Sequence, residues 1–143
     1  MTSRIQIPAW EEYKMQFGAM ASLNKNTLNI EVDYDVKNLE KVIYMFVFDS
    51  EIVRIGSSKA KFYQRMRRYE LDITKSLNNK KSSTPDWEAQ LWKQYFNESK
   101  TCKIYVREGT IVKTPVGKIS SYLDEESYLI GKHQPPLNRS KHR

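Results

Sequence analysis

Several kinds of residue are scarce in this 143-residue sequence, and each scarcity excludes a class of protein. A single cysteine, Cys102, excludes an internal disulfide, and two histidines are too few for a Cys/His zinc cluster. The longest apolar run, Val42 to Phe48, is far below the roughly 20 residues that cross a membrane. No basic stretch followed by an apolar one opens the chain, as a secretory signal would require. We therefore expect a cytoplasmic, intracellular protein with no membrane partner.

The residues that are plentiful favour one packed domain with a basic body. The sequence is 39% hydrophobic and 12% aromatic, which is enough to form a core. Residues 1–40 hold 4 Lys and Arg against 6 Asp and Glu, whereas residues 41–143 hold 20 against 11. A basic body attracts nucleic acid through counterion release. An acidic protein partner, or simply a high pI, would explain the same charge.

The first 40 residues are predicted to be an N-terminal extension that packs on the core. Pro8 is suited to the start of a short helix, in which Trp10, Tyr13 and Phe17 share one face. Apolar and polar residues alternate over 28–34, which predicts a half-buried strand. The extension therefore supplies one helix and one strand.

Residues 41–143 are predicted to form the main domain, an α+β fold. The run from Val42 to Phe48 is apolar on both faces and indicates a buried central strand, followed by a turn and a second strand over 52–55. A helix is predicted from about residue 59 to residue 72. Its core-facing stripe consists of Phe62, Met66, Tyr69 and Ile73.

The second half of this domain is predicted to hold an inserted middle helix, more strand and a last helix. Thr84 is the expected N-cap of the middle helix, and Pro85 its first residue. Residues 103–106 and 110–112 indicate a third strand or a second hairpin. The last helix should run from about residue 121 to residue 133. The whole is an antiparallel sheet of about three strands flanked by helices.

Glu126 lies near the middle of the apolar arc of the last helix, whereas Asp124 faces away. A carboxylate at a core-facing position is costly unless it is paired, hydrogen-bonded or bound to a metal. A structural ion pair, for example with Arg65, and a metal site are therefore both open.

Five sequence pieces then occur in a characteristic order: Val42-Ile43-Tyr44, Arg54-Ile55-Gly56, Arg65, Tyr69, and the closing segment from Glu126 to Asn138. Together they resemble the GIY-YIG nuclease superfamily, including its phage and small restriction members. The resemblance spans residues 42–138. This sequence departs from the pattern where Val42 replaces a glycine and Arg54 a tyrosine, and the stretch before Arg65 is one residue longer than usual.

The resemblance implies a GIY-YIG fold and a Mg²⁺-dependent endodeoxyribonuclease that nicks or cuts duplex DNA. Its implied catalytic residues are Tyr44, Arg65, Tyr69, Glu126 and Asn138, and Arg54 is added to them from its position alone. Glu126 would hold one Mg²⁺, for which Mn²⁺ is a possible substitute, and Arg65 would bind the scissile phosphate. Tyr44 would orient or deprotonate the attacking water with help from Tyr69, and Asn138 would fasten the closing segment. Arg54 would offer the phosphate a second positive charge.

Basic residues around this site are expected to contact DNA phosphates. They are Lys59, Lys61, Arg68, Lys75, Lys80, Lys81, Lys132, Arg139 and Lys141. A lone site cuts one strand, so double-strand breaks would require either two subunits, as in a homodimer or tetramer, or two successive events. Because Arg54 replaces a tyrosine, a catalytically degraded DNA-binding module of the same fold is the alternative function.

Overall fold

The computed structural model describes residues 7–138. Its helices are α1 (Ala9–Glu12), α2 (Phe62–Leu77), α3 (Asp86–Ser99) and α4 (Tyr122–His133). Its strands are β1 (Gln16–Asn24), β2 (Thr27–Val32), β3 (Val42–Phe48), β4 (Glu51–Ser58), β5 (Thr101–Glu108), β6 (Ile111–Thr114) and β7 (Gly117–Ser120). A 3-10 turn over Pro136–Asn138, the C-terminal turn, follows α4. In the described residues, no helix combines the length and the apolarity needed to span a membrane.

Five strands form one antiparallel sheet in the order β2-β1-β5-β3-β4, so the predicted α+β class is confirmed. The prediction of about three strands was wrong, because β1 and β2 from the first 40 residues extend the sheet beyond β5. Strands β6 and β7 pair with each other in a separate hairpin. The division of the chain at residue 40 stays a prediction, although both parts share this sheet.

Apolar cores cover both faces of the sheet. Helices α2 and α3 cover one face, where Phe46, Phe62 and Trp92 are buried together. On the other face, Met45 and Leu129 of α4 belong to a smaller core that α1 also contacts. Strand β3 is buried along its whole length, as its run of apolar residues predicted. The sheet, including the end of β4, therefore lies between two layers of helices.

Helix α2 confirms the predicted stripe, with Phe62, Met66 and Ile73 buried and Tyr69 half-buried. It begins later than predicted and continues to Leu77, because that side chain still reaches the core.

Helix α3 begins one residue later than the predicted cap implies. Pro85 occupies the N-cap position in an extended conformation, and no side chain caps the helix. The prediction that Thr84 is the cap was wrong, because Thr84 precedes the N-cap position and its N–H donates to the Ser82 hydroxyl in the turn before the helix.

The N-terminal segment and the hairpin also differ from the predictions. Helix α1 ends at Glu12, so Phe17 does not share its face and lies in β1. Strand β1 was missed, although alternating Ala19, Ala21 and Leu23 carried its period. The hairpin pairs β6 with β7, whereas β5 lies inside the large sheet.

Candidate active site

A pair of tyrosine hydroxyls lies between the sheet and α2. The Tyr44 hydroxyl is 2.8 Å from the Tyr69 hydroxyl, and the rings meet edge to face. Tyr44 stands opposite Gly56 across the β3-β4 ladder, and a Cβ at Gly56 would collide with the Tyr44 ring and hydroxyl. Glycine therefore lets this ring lie directly on the edge strand β4.

Arg54 of β4 is held beside these tyrosines by contacts with three different elements. Its Nε donates to the Tyr69 hydroxyl at 3.2 Å, and its Nη1 donates to the Leu137 carbonyl at 2.6 Å. The Glu88 carboxylate of α3 lies 3.8 Å from the same Nη1. Within residues 7–138, Nη2 has no protein partner, so this edge of the guanidinium is available to a ligand.

Burial and neighbouring groups set the protonation of this cluster. Burial opposes the charge of Arg54, but the Tyr69 hydroxyl and the Glu88 carboxylate outweigh it and raise the pKa of Arg54. Burial, reinforced by Tyr69, raises the pKa of Tyr44 well above its ordinary value. Arg54 therefore stays charged, whereas Tyr44 keeps its proton at neutral pH.

A polar cleft of about 200 Å³ opens over Arg54 and Tyr69. It is lined by Arg54, Arg65, Arg68, Tyr69, Asp72, Ser83, Thr84 and Glu88. Arg65 is exposed, and its guanidinium makes no ion pair or hydrogen bond among the residues that the structure describes. Arg68 lies 3.9 Å from Asp72, and its side chain is 67% exposed. Three arginines thus face one opening, which suits a polyanionic ligand.

Glu126 lies on the other face of the sheet. The Ser57 hydroxyl donates to its Oε1 at 2.8 Å, and Ser57 shares the face of Ile55 and its core. Arg65 projects from α2 on the opposite face, and no ion pair joins the two residues. The suggested structural ion pair is therefore not formed within residues 7–138.

Both halves of the candidate site nevertheless reach the same point of the edge strand. The Tyr44 hydroxyl lies over Gly56, and Glu126 is bonded to the next residue, Ser57. Consecutive Cα atoms are about 3.8 Å apart, so the two groups approach adjacent residues from opposite faces. Because β4 is the last strand of the sheet, a ligand lying along its edge can approach Glu126 on one face and the cleft beside Tyr69 on the other.

Asn138 attaches the C-terminal turn to this edge. Its side-chain Oδ1 accepts from the Ile55 N–H and its Nδ2 donates to the Ile55 carbonyl, both at 2.8 Å. The amide thereby satisfies the free backbone groups of an edge strand as a neighbouring strand would. The same turn carries the Leu137 carbonyl that holds Arg54.

The structure describes no cluster of three or more acidic, histidine or cysteine residues that would cage a metal ion. Glu126 is half-buried, and within residues 7–138 its only hydrogen-bond partner is Ser57. Mg²⁺ commonly takes one or two carboxylates and completes its shell with water and substrate phosphate. A carboxylate with an available oxygen, across the edge strand from an arginine-lined cleft, fits that pattern.

The predicted DNA-contacting residues occupy several surfaces. Lys59 and Lys61 lie between β4 and α2, and Arg68 lines the cleft. Lys75, Lys80 and Lys81 lie at or beyond the last turn of α2, away from the tyrosine pair. Lys132 is exposed on α4, with its Nζ 5.6 Å from the centre of the Tyr13 ring. Arg139 and Lys141 lie outside the described residues.

Glu88 and Ser57 were not identified from the sequence. Glu88 lies one helical turn before buried Trp92, and this spacing placed it on the inner face of α3. Ser57 follows the second motif directly, but only the packing of α4 brings it to Glu126. Thr84, predicted as a cap, lines the cleft instead.

Comparisons with known proteins show a shared fold. No protein-family model matches the chain, and no curated protein matches it significantly. A solved structure of a glutamate-to-alanine mutant of bacteriophage T4 EndoII matches with 20% identity and a TM-score of 0.65, over 91% of this chain and 96% of that one. The restriction endonuclease HPY188I with product DNA matches with 17% identity and a TM-score of 0.49, over 99% and 98%. The chain therefore has the fold of bacteriophage T4 EndoII.

Proposed function

We propose that this protein is a Mg²⁺-dependent endodeoxyribonuclease of the GIY-YIG type that hydrolyses phosphodiester bonds of duplex DNA. One observation carries the proposal: arginines, a tyrosine pair and a lone carboxylate converge on residues 54–57 of the edge strand. The ordered sequence motifs and the fold similarity to a phage endonuclease support it.

Arginine is suited to binding the scissile phosphate, because its planar guanidinium matches phosphate oxygens with two parallel hydrogen bonds. Arg65 has its whole guanidinium available, so it is the principal phosphate ligand in this proposal. Arg54 contributes Nη2, since its other nitrogens are held by Tyr69, Leu137 and Glu88. Both charges would stabilise the negative charge that grows on the phosphate during attack.

The tyrosines take unequal parts in this chemistry. Tyr44 is only 2% exposed and keeps its proton, so it does not meet water or DNA directly. Tyr69 is half-buried, lines the cleft and shares a hydrogen bond with Tyr44. Tyr69 is therefore the hydroxyl that orients a water or phosphate oxygen, and Tyr44 fixes its position.

Glu126 would hold the metal ion, with Ser57 orienting its carboxylate. When bound, Mg²⁺ supplies charge stabilisation and lowers the pKa of its water. The role of the chain itself is to present one carboxylate oxygen at the β4 edge and to keep the second oxygen available.

A DNA-binding module without catalysis is the second candidate. Arg54 replaces a tyrosine of the motif, and within the described residues no contact joins Glu126 to the arginine cleft. Such a module would bind duplex DNA without cutting it. An intracellular setting, and a dimer or tetramer for double-strand cutting, belong to the nuclease proposal.

The test incubates supercoiled plasmid with the pure protein, with and without Mg²⁺. The Glu126→Gln variant is compared with Asp124→Asn, since Asp124 is an exposed carboxylate on the same helix. We expect wild type and Asp124→Asn to nick or linearise the plasmid only with Mg²⁺. Glu126→Gln should lose at least a thousandfold in rate while binding DNA normally.

The outcomes separate the candidates. Cutting that persists in Glu126→Gln would show that the metal carboxylate is wrongly assigned. Tight binding without cutting by wild type would favour the binding module, and Arg54→Tyr would then test whether the lost tyrosine restores cutting. A wild-type protein that neither binds nor cuts DNA would contradict both candidates.

A further inference from the structure

The hairpin formed by β6 and β7 (residues 111–120, the basic hairpin) is a charged arm outside the site described above. Its strands pair only with each other, and eight of its ten residues are exposed. It contains two lysines and no acidic residue. A four-residue strand extends about 13 Å, so the arm projects far enough to reach a neighbouring molecule.

The two lysines of the basic hairpin are unfavourably placed in the protein alone. Lys113 pairs directly with Lys118 across the hairpin, so both side chains point to the same face. Like charges directly opposite each other destabilise a two-stranded ribbon. No acidic side chain pairs with either lysine in the described part of the chain. A polyanion on this face would neutralise both charges.

The base of the basic hairpin is fixed to the helix that carries Glu126. Glu125 of α4 accepts from the Thr110 N–H at 2.9 Å and from the Ser121 hydroxyl at 2.7 Å. The same carboxylate pairs with Arg107 of β5 at 2.5 Å. These bonds fix both ends of the arm, and Glu126 is the next residue along the helix.

The basic hairpin also leaves the sheet at the end where β4 finishes. Val42 of β3 pairs with Ser58 on one side and with Glu108 on the other, and the Gly109 N–H then binds the Lys41 carbonyl. The Lys41 N–H in turn bonds to the Lys59 carbonyl. The arm thus begins beside the exposed residues Lys41 and Lys59, next to the Ser57–Glu126 pair.

We propose that the basic hairpin is a second DNA-contacting arm, in which Lys113 and Lys118 bind phosphates beside the cut site. The proposal rests on the nuclease function above and adds to it. Arg54, Arg65 and Arg68 would contact the duplex from the α2 face, and the hairpin from the Glu126 side. The partner is duplex DNA because the paired lysines place two positive charges on one face of the arm, which suits a phosphate backbone.

The test measures binding of a fluorescein-labelled 25-base-pair duplex by anisotropy, with chelator present and KCl varied. The double variant Lys113→Gln/Lys118→Gln is compared with Lys25→Gln/Lys103→Gln, which removes equal charge from exposed positions away from the hairpin. We expect the hairpin variant to bind on the order of tenfold more weakly, with a salt slope smaller by about 2. The control should keep the wild-type slope.

Each outcome decides between the proposals. Equal weakening in the two variants would show a general charge effect and overturn the inference, whereas a wild type that does not bind DNA would overturn the nuclease proposal itself. A variant that changes the sedimentation coefficient while keeping the wild-type salt slope would make the arm a contact between copies of this chain. The melting temperature of the hairpin variant should equal or exceed that of wild type, because a repulsive pair is removed.

Discussion

The two faces of the sheet carry very different polar groups at the edge of β4. On the α2 face, Arg54 is bound by a hydroxyl, a carbonyl and a carboxylate from three elements. On the α4 face, Glu126 has one hydrogen bond among the described residues, from Ser57. The first group is held in a single orientation, whereas the second can turn its free oxygen toward a ligand.

In the proposed nuclease, this difference would let one strand serve two chemical tasks. A cation that binds a phosphate benefits from fixed geometry, because ordering it in advance lowers the cost of binding. A carboxylate that holds a hydrated metal ion needs an unblocked oxygen and room for water. The side-chain alternation of a strand separates the two tasks by a single residue, at Gly56 and Ser57.

The largest effect expected on the α2 face comes from replacing Arg65, which lines the cleft. Arg65→Gln should lower the rate of DNA cutting about 100- to 1,000-fold, as when one donor to a developing negative charge is removed. Arg67→Gln is the matched control, because Arg67 is exposed on the same helix and does not line the cleft. Single-turnover cutting rates measure both. Equal rates for the two variants would remove Arg65 from the site.

The variants Gly56→Ala and Ser57→Ala change adjacent residues of β4 that contact opposite faces of the sheet. Their stabilities therefore compare the two faces. The Gly56→Ala methyl would overlap the buried Tyr44 ring and should lower the free energy of unfolding by about 1–3 kcal/mol. Ser57→Ala removes one hydrogen bond to Glu126 and should cost about 0.5–1 kcal/mol. Urea denaturation measures both values. If Gly56→Ala is as stable as wild type, the Tyr44 ring does not lie on β4 as described.

The pH dependence of stability tests the contacts of Glu125 on the α4 face. Burial tends to raise the pKa of Glu125, but the bonds from Arg107, Thr110 and Ser121 lower it to about 2. Because the folded pKa is depressed, this stabilisation is complete above the ordinary value and is lost as pH falls from about 4.5 toward 2. After allowance for solvent screening, we expect Glu125 to contribute about 1–2 kcal/mol to the free energy of unfolding above that pH range.

The Glu125→Gln variant tests this assignment by thermal unfolding between pH 2.5 and 6. Wild type should lose more stability than the variant over the acidic range, so the two unfolding curves should converge toward low pH. Parallel curves would mean that Glu125 has an ordinary pKa. Glu108→Gln, an exposed change at the end of β5, serves as the control.

The smallest expected effect concerns the orientation of Arg54. Glu88→Gln removes the charge that faces the guanidinium at 3.8 Å, which is worth about 0.2–1 kcal/mol, or at most about fivefold in rate. The loss should appear in kcat with KM and unfolding nearly unchanged, because Glu88 acts through Arg54. Glu98→Gln, exposed on the same helix, is the control. A matching loss in both variants would show that Glu88 does not position Arg54.

Much of the fold could be predicted from local patterns. The uninterrupted apolar run of β3, the α2 stripe and the α4 boundaries depend on neighbours in the chain, and all three were found. Strand β1 was missed because Gly18 and the exposed apolar residue Met20 obscure the alternation of Ala19, Ala21 and Leu23 in the sequence. Its pairing with β5 joins residues 79 to 90 positions apart, which no local pattern reveals.

The candidate site, like the fold, could be predicted from the sequence only in part. The sequence by itself determined which residues to consider, since the spacing of Tyr44, Arg54, Arg65 and Glu126 follows local motifs. Only the tertiary structure decided that Tyr44 is buried behind Tyr69, that Glu88 holds Arg54, and that Glu126 approaches from the opposite face. Motif spacing follows the period of single helices and strands. The face and burial of each group depend on how distant elements pack against the sheet.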